Sequence, residues 1–471
     1  MTSAAAAGGM GWGIRGQYGH ETGAMIAGVL GGLVLVHLFS PRAISLVSAR
    51  AVALCALGVS IGGSETYGQT VGLTQNAELV GNWAALRWGM LGLAIKGGIW
   101  ISFAGAMLGM AMGNKKYGLL ELALLFAGVF ASFLLGVYLL NMPFDPPARH
   151  LPPIYFSANW YWQPGAKSLE PRPERWGGLL VALLALNAYL AVVRKDRLAV
   201  RLACWGFLGG ALGFPGGQCL QACHAWNLAS FRNGWFAAYD PYINWWNFME
   251  TSFGAVWGAV LALGLWLNRR LIAADEREAT VTLQPMAEFF FLAIHVALLV
   301  TWNFASVPLV DLFADNGLTM IAIPLLMVTG GRWWPYMLTL PIVLIPIAGK
   351  TVREVVHYEP SIGSTAGYIV YLVLPLIVAT VTAFILGQRF RDRPSARTFS
   401  SWALLVATWT YFGLNFAFFR FSWPWQTWTS RTPNGLVYLA CSLFLTWVAF
   451  KIPTQLDEES AADAEMTGEL A

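Results

Sequence analysis

Long apolar runs are the feature that most restricts how this chain folds. Runs of mostly apolar residues follow one another along the sequence, each about the 20 residues that a helix needs to cross the hydrocarbon core. Only 11% of the 471 residues are charged and 57% are hydrophobic. A soluble domain carries about 25% charged residues, so these few charges cannot cover a water-exposed surface. We therefore predict an all-α, polytopic transmembrane helix bundle.

The apolar runs define about 13 candidate spans by the length criterion. They cover residues 19–39, 46–63, 84–113, 117–140, 177–193, 198–214, 246–267, 287–309, 316–330, 335–349, 366–388, 400–420 and 434–451. The segments 316–330 and 335–349 are short and contain prolines, so they are either two short spans or one re-entrant pair. We divide the chain into a polar, Gly-rich half (1–270), a more apolar half (285–451) and an acidic, disordered tail (456–471).

The basic residues between the spans predict the orientation, because Lys and Arg are enriched in cytoplasmic loops. Their distribution fits a bacterial-type plasma (inner) membrane with the N-terminus outside and the C-terminus in the cytoplasm. The polar and Gly-rich segments then fall on the outer side. They are residues 8–23, 62–82, 141–176, 213–247, 350–363 and 421–434.

Two segments of the first half resemble each other, which predicts a parallel internal repeat. Residues 51–113 and 200–268 each begin with an apolar, Cys-containing helix and continue through a Gly-rich turn that ends in Gly-Gln. The Gly-rich turns are expected at 62–69 and 213–218. Chance similarity between two Gly-rich membrane sequences is the alternative explanation.

The N-terminal run GWGIRGQYGHETG concentrates ionisable and polar groups directly before an apolar helix. Its glycines leave the backbone bare, and His20 and Glu21 are expected in or near the first turn of that helix. A helix N-terminus with Arg15 nearby favours a bound carboxylate or phosphate. Alternatively, His20 and Glu21 act as base and acid. The simpler interpretation is an interfacial segment that only starts a helix.

Charges inside the membrane are costly and mark either a pathway or a structural ion pair. Lys96 and Arg87 lie in the third apolar run, and Glu250 occupies a similar level in the second repeat. Candidate partners of Lys96 are Glu65, Glu78 and Glu21. We predict one outward-opening polar cavity, in which His20, Glu21, Glu65 and Glu250 are the catalytic candidates should the chain be an enzyme. The predicted substrate-binding residues are Arg15, Gln17, His20, Glu21, Glu65, Gln69, Arg87, Lys96, Gln218 and Glu250.

The remaining polar motifs are less specific. Cys219, Cys223 and His224 have an incomplete ligand set for zinc or haem, so we predict neither a metal nor a cofactor. The Trp- and Tyr-rich loops near 159–167, 233–246 and 423–428 suit interfacial anchoring or stacking against sugars or lipid head groups. The charged stretch 351–360 is interpreted as a solvated loop.

Two functions remain open from the sequence. A secondary transporter of a polar, anionic or sugar-like solute fits the number of spans, the repeat and the absence of a Walker A motif. The alternative is a membrane-embedded transferase or hydrolase that acts at the extracytoplasmic face on a lipid-linked or glycan substrate. Membrane lipids are expected partners in both, whereas the small net charge of +4 gives no reason to expect nucleic acid.

Overall fold

The structure is a computed structural model. It describes residues 1–16, 18–19, 21–63, 67–148, 150–157, 171–273, 280–315, 321–391, 396–420 and 427–451. Within these ranges the regular elements are helices, and no strand is formed. The all-α prediction is therefore confirmed.

The helices are numbered here in chain order. They are α1 (Thr2–Arg15), α2 (Glu21–Phe39), α3 (Ser45–Gly62), α4 (Gly68–Gln75), α5 (Trp83–Met112), α6 (Leu119–Leu140), α7 (Trp176–Ala188), α8 (Arg197–Trp226), α9 (Leu228–Asn233), α10 (Trp245–Leu267), α11 (Pro285–Phe304), α12 (Pro308–Asp315), α13 (Ala322–Gly330), α14 (Trp334–Tyr358), α15 (Ser364–Arg389), α16 (Ala396–Phe418) and α17 (Thr432–Lys451).

Among the described residues, 11 helices are long and apolar enough to cross a membrane. The chain is a multi-pass membrane protein, although the expected count of about 13 spans by length is not confirmed. Two of the expected spans account for the difference. The described part of 316–330 holds the nine-residue helix α13, and residues 400–420 fall in α16, which is not among the helices long and apolar enough to cross a membrane.

The N-terminal segment differs most from its predicted form. Residues 8–15 were expected in an outer, Gly-rich loop, but they belong to α1, whose residues are mostly buried. Gly8 packs on Gly254 and Ala4 packs on Gly258, so α1 runs antiparallel to α10. The glycines serve close helix packing, since a Cβ on Gly8 would overlap the carbonyl oxygen of Gly254.

The direction of α1 also determines at which end of the bundle the N-terminus lies. Because α1 is antiparallel to α10, Met1 lies toward the end of α10 that is remote from Glu250. The orientation of the chain in the membrane stays a prediction. In that predicted orientation the Glu250 end faces outward, which places Met1 in the inner half of the bundle and not at the outer surface.

Helix α8 corrects a second expectation. The Gly-rich stretch 213–218 was predicted to be a turn, but α8 continues through it with Pro215 inside the helix. Small residues on α8 pack against α5, and a Cβ on Gly210 would overlap the carbonyl oxygen of Gly97. The two proposed repeat units therefore differ at their Gly-Gln motifs, and the internal repeat stays a prediction.

The prolines of residues 335–349 do not make this stretch a short, separate segment. These residues lie within α14, which is 25 residues long and almost wholly buried. Glu288 stabilises the start of α14, because its Oε1 accepts hydrogen bonds from the backbone N–H groups of Trp333 and Trp334.

Candidate functional site

The packing of α1 on α10 brings two charged side chains together inside the bundle. Arg15 ends α1 and Glu250 lies one turn into α10. Arg15 Nη2 is 3.2 Å from Glu250 Oε1, and the two side chains are 2% and 0% exposed. Their separation by 235 positions in sequence means that only the tertiary fold creates this ion pair.

Three further side chains complete the hydrogen bonding of Glu250. The Tyr67 hydroxyl and Trp246 Nε1 donate to Oε1 at 2.7 and 3.1 Å. Asn247 Nδ2 lies 3.4 Å from Oε2. Burial raises the pKa of Tyr67, so its phenol stays protonated and acts as a donor to the carboxylate.

Aromatic rings surround the guanidinium of Arg15. Its Cζ lies 5.1 Å from the ring centroid of Trp12, 5.0 Å from that of Tyr67 and 5.4 Å from that of Trp100. Arg15 also donates a hydrogen bond to the Tyr67 hydroxyl. Cation–π contacts of this kind stabilise a charge that has been removed from water.

The C-terminal half adds positive charge to the same end of the bundle. Arg431, directly before α17, donates to Asn247 Oδ1 and lies over the Phe419 ring at 3.8 Å from its centroid. Burial lowers the pKa of Arg431. Lys350 Nζ donates to the carbonyl oxygen of Tyr18 at 2.8 Å. Arg15, Arg431 and Lys350 therefore lie near Glu250, and Glu354 and Glu359 line a cavity of about 300 Å³ together with Arg431.

Lys96 forms a second buried ion pair, with a partner that was not predicted. Its Nζ lies 2.8 Å from Glu174 Oε1 and 2.9 Å from Thr70 Oγ1, and both charged side chains are fully buried. Glu174 also accepts hydrogen bonds from the Ser157 hydroxyl and the Phe156 backbone N–H at 3.0 and 2.9 Å. The prediction of Glu78 as the partner is wrong, because Glu78 lies exposed in a short turn.

Helix α4 and the residue before it connect the two ion pairs. Tyr67 contacts Glu250, whereas Thr70 contacts Lys96. One turn later, Thr74 Oγ1 accepts a hydrogen bond from Gln218 Nε2 at 2.8 Å. The expected convergence of Lys96, Glu250 and Gln218 is therefore indirect, through one short helix, and α4 also carries the half-buried Gln69.

The structure describes only some of the other predicted site residues. Gln17, His20 and Glu65 lie outside the described residues. Glu21 begins α2, as expected, but its side chain is likewise outside the description. Arg87 is exposed near the start of α5, and its role as a substrate-binding residue stays a prediction.

Sequence reasoning missed Tyr67, Glu174, Lys350 and Arg431. The buried Lys96 required a carboxylate partner. Glu174 stands two residues before an apolar helix, and this position in the sequence could have identified it as that partner. Lys350 and Arg431 had none. Lys350 lies within α14 and Arg431 directly precedes α17, both in the half of the chain that was described as more apolar.

The less specific motifs are described in part. Residues 159–167 lie outside the described residues, and residues 351–358, which were interpreted as a solvated loop, belong to α14. His224 Nε2 lies 2.8 Å from Asp240 Oδ1, and its ring stacks on Trp245 at a centroid distance of 4.5 Å. Cys219 and Cys223 are exposed. In the part of the chain that the structure describes, no cluster of three or more His, Cys, Asp or Glu side chains is placed to hold a metal ion.

Comparisons with known proteins give no relative from which a function can be transferred. No protein-family model, curated protein or solved structure matches this chain. Functional inference therefore depends on the geometry of the site.

Proposed function

We propose that the chain is a secondary transporter of a polar anion, such as a carboxylate or a phosphorylated sugar, in the plasma (inner) membrane. One observation carries the proposal. The buried Arg15–Glu250 pair lies inside a membrane bundle, at the turn between α1 and α2, with Arg431 and Lys350 nearby. Buried charges inside a membrane bundle are typical of substrate and ion pathways.

The turn between α1 and α2 places the ion pair. Gly11 packs on Ala27 and Gly23 packs on the Arg15 carbonyl oxygen, so α1 and α2 form an antiparallel hairpin and Arg15 stands at its turn. An anion that displaces Glu250 as the partner of Arg15 would leave the Glu250 carboxylate free to take up a proton. Exchange between substrate and carboxylate is a direct way to couple anion binding to a conformational change.

A membrane-embedded enzyme acting on a lipid-linked substrate is the second candidate, and one observation favours it. An apolar cavity of about 640 Å³ lies beside the cluster, and Thr251 in its wall directly follows Glu250. Aromatic side chains line much of this cavity, including Phe231, Trp235 and Trp245. Such a cavity suits an acyl or isoprenoid chain whose head group would reach toward Glu250.

Proteoliposomes distinguish the two functions. We expect the purified protein to accumulate at least one member of a panel of radiolabelled carboxylates and sugar phosphates, and Glu250→Gln to abolish the uptake. The exposed Glu78 provides a matched control, so Glu78→Gln should transport normally. Uptake of no panel member, together with conversion of an added polyprenyl-phosphate sugar, would replace transport with the enzymatic function.

The predicted topology supplies an independent check. The Lys/Arg distribution favours the Glu250 end of the bundle facing outward and the C-terminus in the cytoplasm. Cysteine labelling at Asn114 and Asn233 in whole cells is expected to be restricted to the Asn233 position. Labelling of position 114 alone would reverse the orientation.

A further inference from the structure

One face of α16 carries a row of buried polar side chains. Its members are Ser400, Thr408, Tyr411 and Asn415, each at most 1% exposed. They follow one another by eight, three and four positions, so they lie on the same face of the helix. The opposite face, with Trp402 and Trp409, is exposed. The row therefore gives α16 a polar side that points into the bundle.

Contacts at the two ends of the row show where it leads. Asn415 Nδ2 donates to the carbonyl oxygen of Ile14, the residue before Arg15, at 3.4 Å. At the other end, His37 Nδ1 lies 2.9 Å from the Ser400 hydroxyl oxygen. Because His37 is in the last turn of α2, α2 and α16 run antiparallel. The row rises roughly 22 Å along the helix axis, which is most of the hydrocarbon core of about 30 Å.

Three polar atoms of the row are buried without a hydrogen-bond partner among the described residues. They are the Tyr411 hydroxyl oxygen, Thr408 Oγ1 and Asn415 Oδ1. An unpaired polar atom inside a membrane bundle is costly, and buried water normally supplies the missing hydrogen bonds. Several such atoms along one helix face are therefore suited to hold a chain of water.

The row contains one apolar step. Leu404 is fully buried on the same face, between Thr408 and Ser400, which are roughly 12 Å apart along the helix. An apolar constriction closes a water path by excluding water. A coupled transporter needs an interruption of this kind, because an unbroken chain of water would let protons cross without substrate.

We propose that this row is the proton path of the transporter, in which buried water and the hydroxyls of Thr408 and Tyr411 connect the Arg15–Glu250 cluster with His37. The inference rests on the transport function proposed above. When an anion replaces Glu250 as the partner of Arg15, the Glu250 carboxylate takes up a proton, which later leaves along the row. Each water or hydroxyl accepts one proton and gives one up, so a passage changes no group on the path. Chains of polar and ionisable groups inside membrane helices commonly serve as proton relays.

His37 is suited to the last step of this path. An imidazole accepts a proton on one ring nitrogen and releases it from the other. Besides Ser400, the Arg397 guanidinium and the carbonyl oxygen of Val448 lie near the ring. In the predicted orientation this end of the bundle faces the cytoplasm, so the proton leaves on the side to which the anion is imported.

A proton leak tests the path without any substrate. The full chain is reconstituted into liposomes that contain a pH-sensitive dye, and a K⁺ gradient with valinomycin supplies the driving potential. Leu404→Ser should make the apolar step polar and cause a leak that the unmodified chain lacks. Leu405→Ser makes the same change on a face of α16 that lines a different cavity, and should stay tight. Adding Thr408→Val to Leu404→Ser should reduce the leak about tenfold, the effect of one lost hydrogen bond.

Anion uptake separates proton movement from the rest of the transport cycle. Thr408→Val should lower net uptake driven by a proton gradient about tenfold. Exchange of labelled for unlabelled anion needs no net proton movement and should continue at the unmodified rate. Thr410→Val removes the same hydroxyl from another face of α16 and should retain both activities.

The outcomes distinguish the proton path from the transport function. A folded Leu404→Ser variant that does not leak, an equal leak in Leu405→Ser, or loss of exchange together with net uptake in folded Thr408→Val would each overturn the proposal. A leak that Thr408→Val suppresses, in a chain that carries no anion of the panel, would keep the proton path and reject anion transport.

Discussion

Lys96–Glu174 and Arg15–Glu250 are both buried ion pairs among the described residues, but they differ in what surrounds them. Lys96–Glu174 is a closed unit, in which both carboxylate oxygens accept hydrogen bonds and the charges cancel. Arg15–Glu250 lies among aromatic rings at the turn between α1 and α2, and Arg431 is connected to it through Asn247. Buried charge alone therefore does not identify a functional site. The groups that surround each pair distinguish them.

The difference has a physical origin. A neutral, fully hydrogen-bonded pair has no reason to exchange partners, since any rearrangement leaves a charge unpaired in a medium of low dielectric constant. In the Arg15–Glu250 cluster, Arg15 and Arg431 lie close to a single buried carboxylate, so an incoming anion could replace that carboxylate as a partner. The Lys96–Glu174 pair is suited to holding α5 against the chain before α7. The Arg15–Glu250 cluster is suited to binding an anion.

The largest expected effect on stability comes from breaking the Lys96–Glu174 pair. Lys96→Met should lower the free energy of unfolding by about 3–5 kcal/mol, because Glu174 is left as an uncompensated buried charge. The measurement is unfolding of the purified protein in detergent. Adding Glu174→Gln to Lys96→Met should recover most of the stability and restore uptake. A double variant that is stable yet inactive would give Lys96 a direct role in transport.

The same double replacement at the other pair should behave in the opposite way. Arg15→Met with Glu250→Gln removes both charges, so stability should be largely retained while uptake falls about 100-fold or more. Proteoliposome uptake and unfolding are measured on the same preparation. Normal uptake in a stable double variant would reduce this pair to a structural role like that of Lys96–Glu174.

A change without any charge should also disable the Arg15–Glu250 pair. Gly8→Leu forces α1 away from Gly254, and overpacking of this kind costs about 1–3 kcal/mol. Uptake should fall because Arg15 moves away from Glu250. Gly128 has open space around its Cα, so Gly128→Leu is the matched control and should retain both stability and uptake. If Gly8→Leu transports normally, the spacing between α1 and α10 does not set the geometry of the site.

The smallest expected effect is at the edge of the cluster. Arg431→Gln removes one positive charge from the cluster and should raise the half-saturating anion concentration about tenfold, the loss expected for a charge-assisted hydrogen bond. Stability should change little, because Asn247 keeps a polar partner. The exposed Arg87 gives the control, and Arg87→Gln should not alter the uptake. An unchanged half-saturation in Arg431→Gln would leave Arg15 as the cation that recognises the anion.

Some elements were predictable because they depend on local chemistry. The long apolar runs predicted most of the helices, for example α2, α5 and α10, with ends within a few residues of those observed. The segments 8–15 and 213–218 were mispredicted for one reason. Glycine was interpreted as a residue of turns, whereas in a membrane bundle it also permits close contact between helices.

The sequence by itself determined that this is an all-α membrane protein, and that Lys96 and Glu250 need partners, because an apolar helix cannot leave a charge in lipid. The tertiary structure decided which partners they have. Glu174 reaches Lys96, and Tyr67 and Arg431 join the Glu250 cluster, through contacts between residues far apart in the chain. Such contacts depend on which small-residue surfaces pack together, and no local pattern of residues encodes that choice.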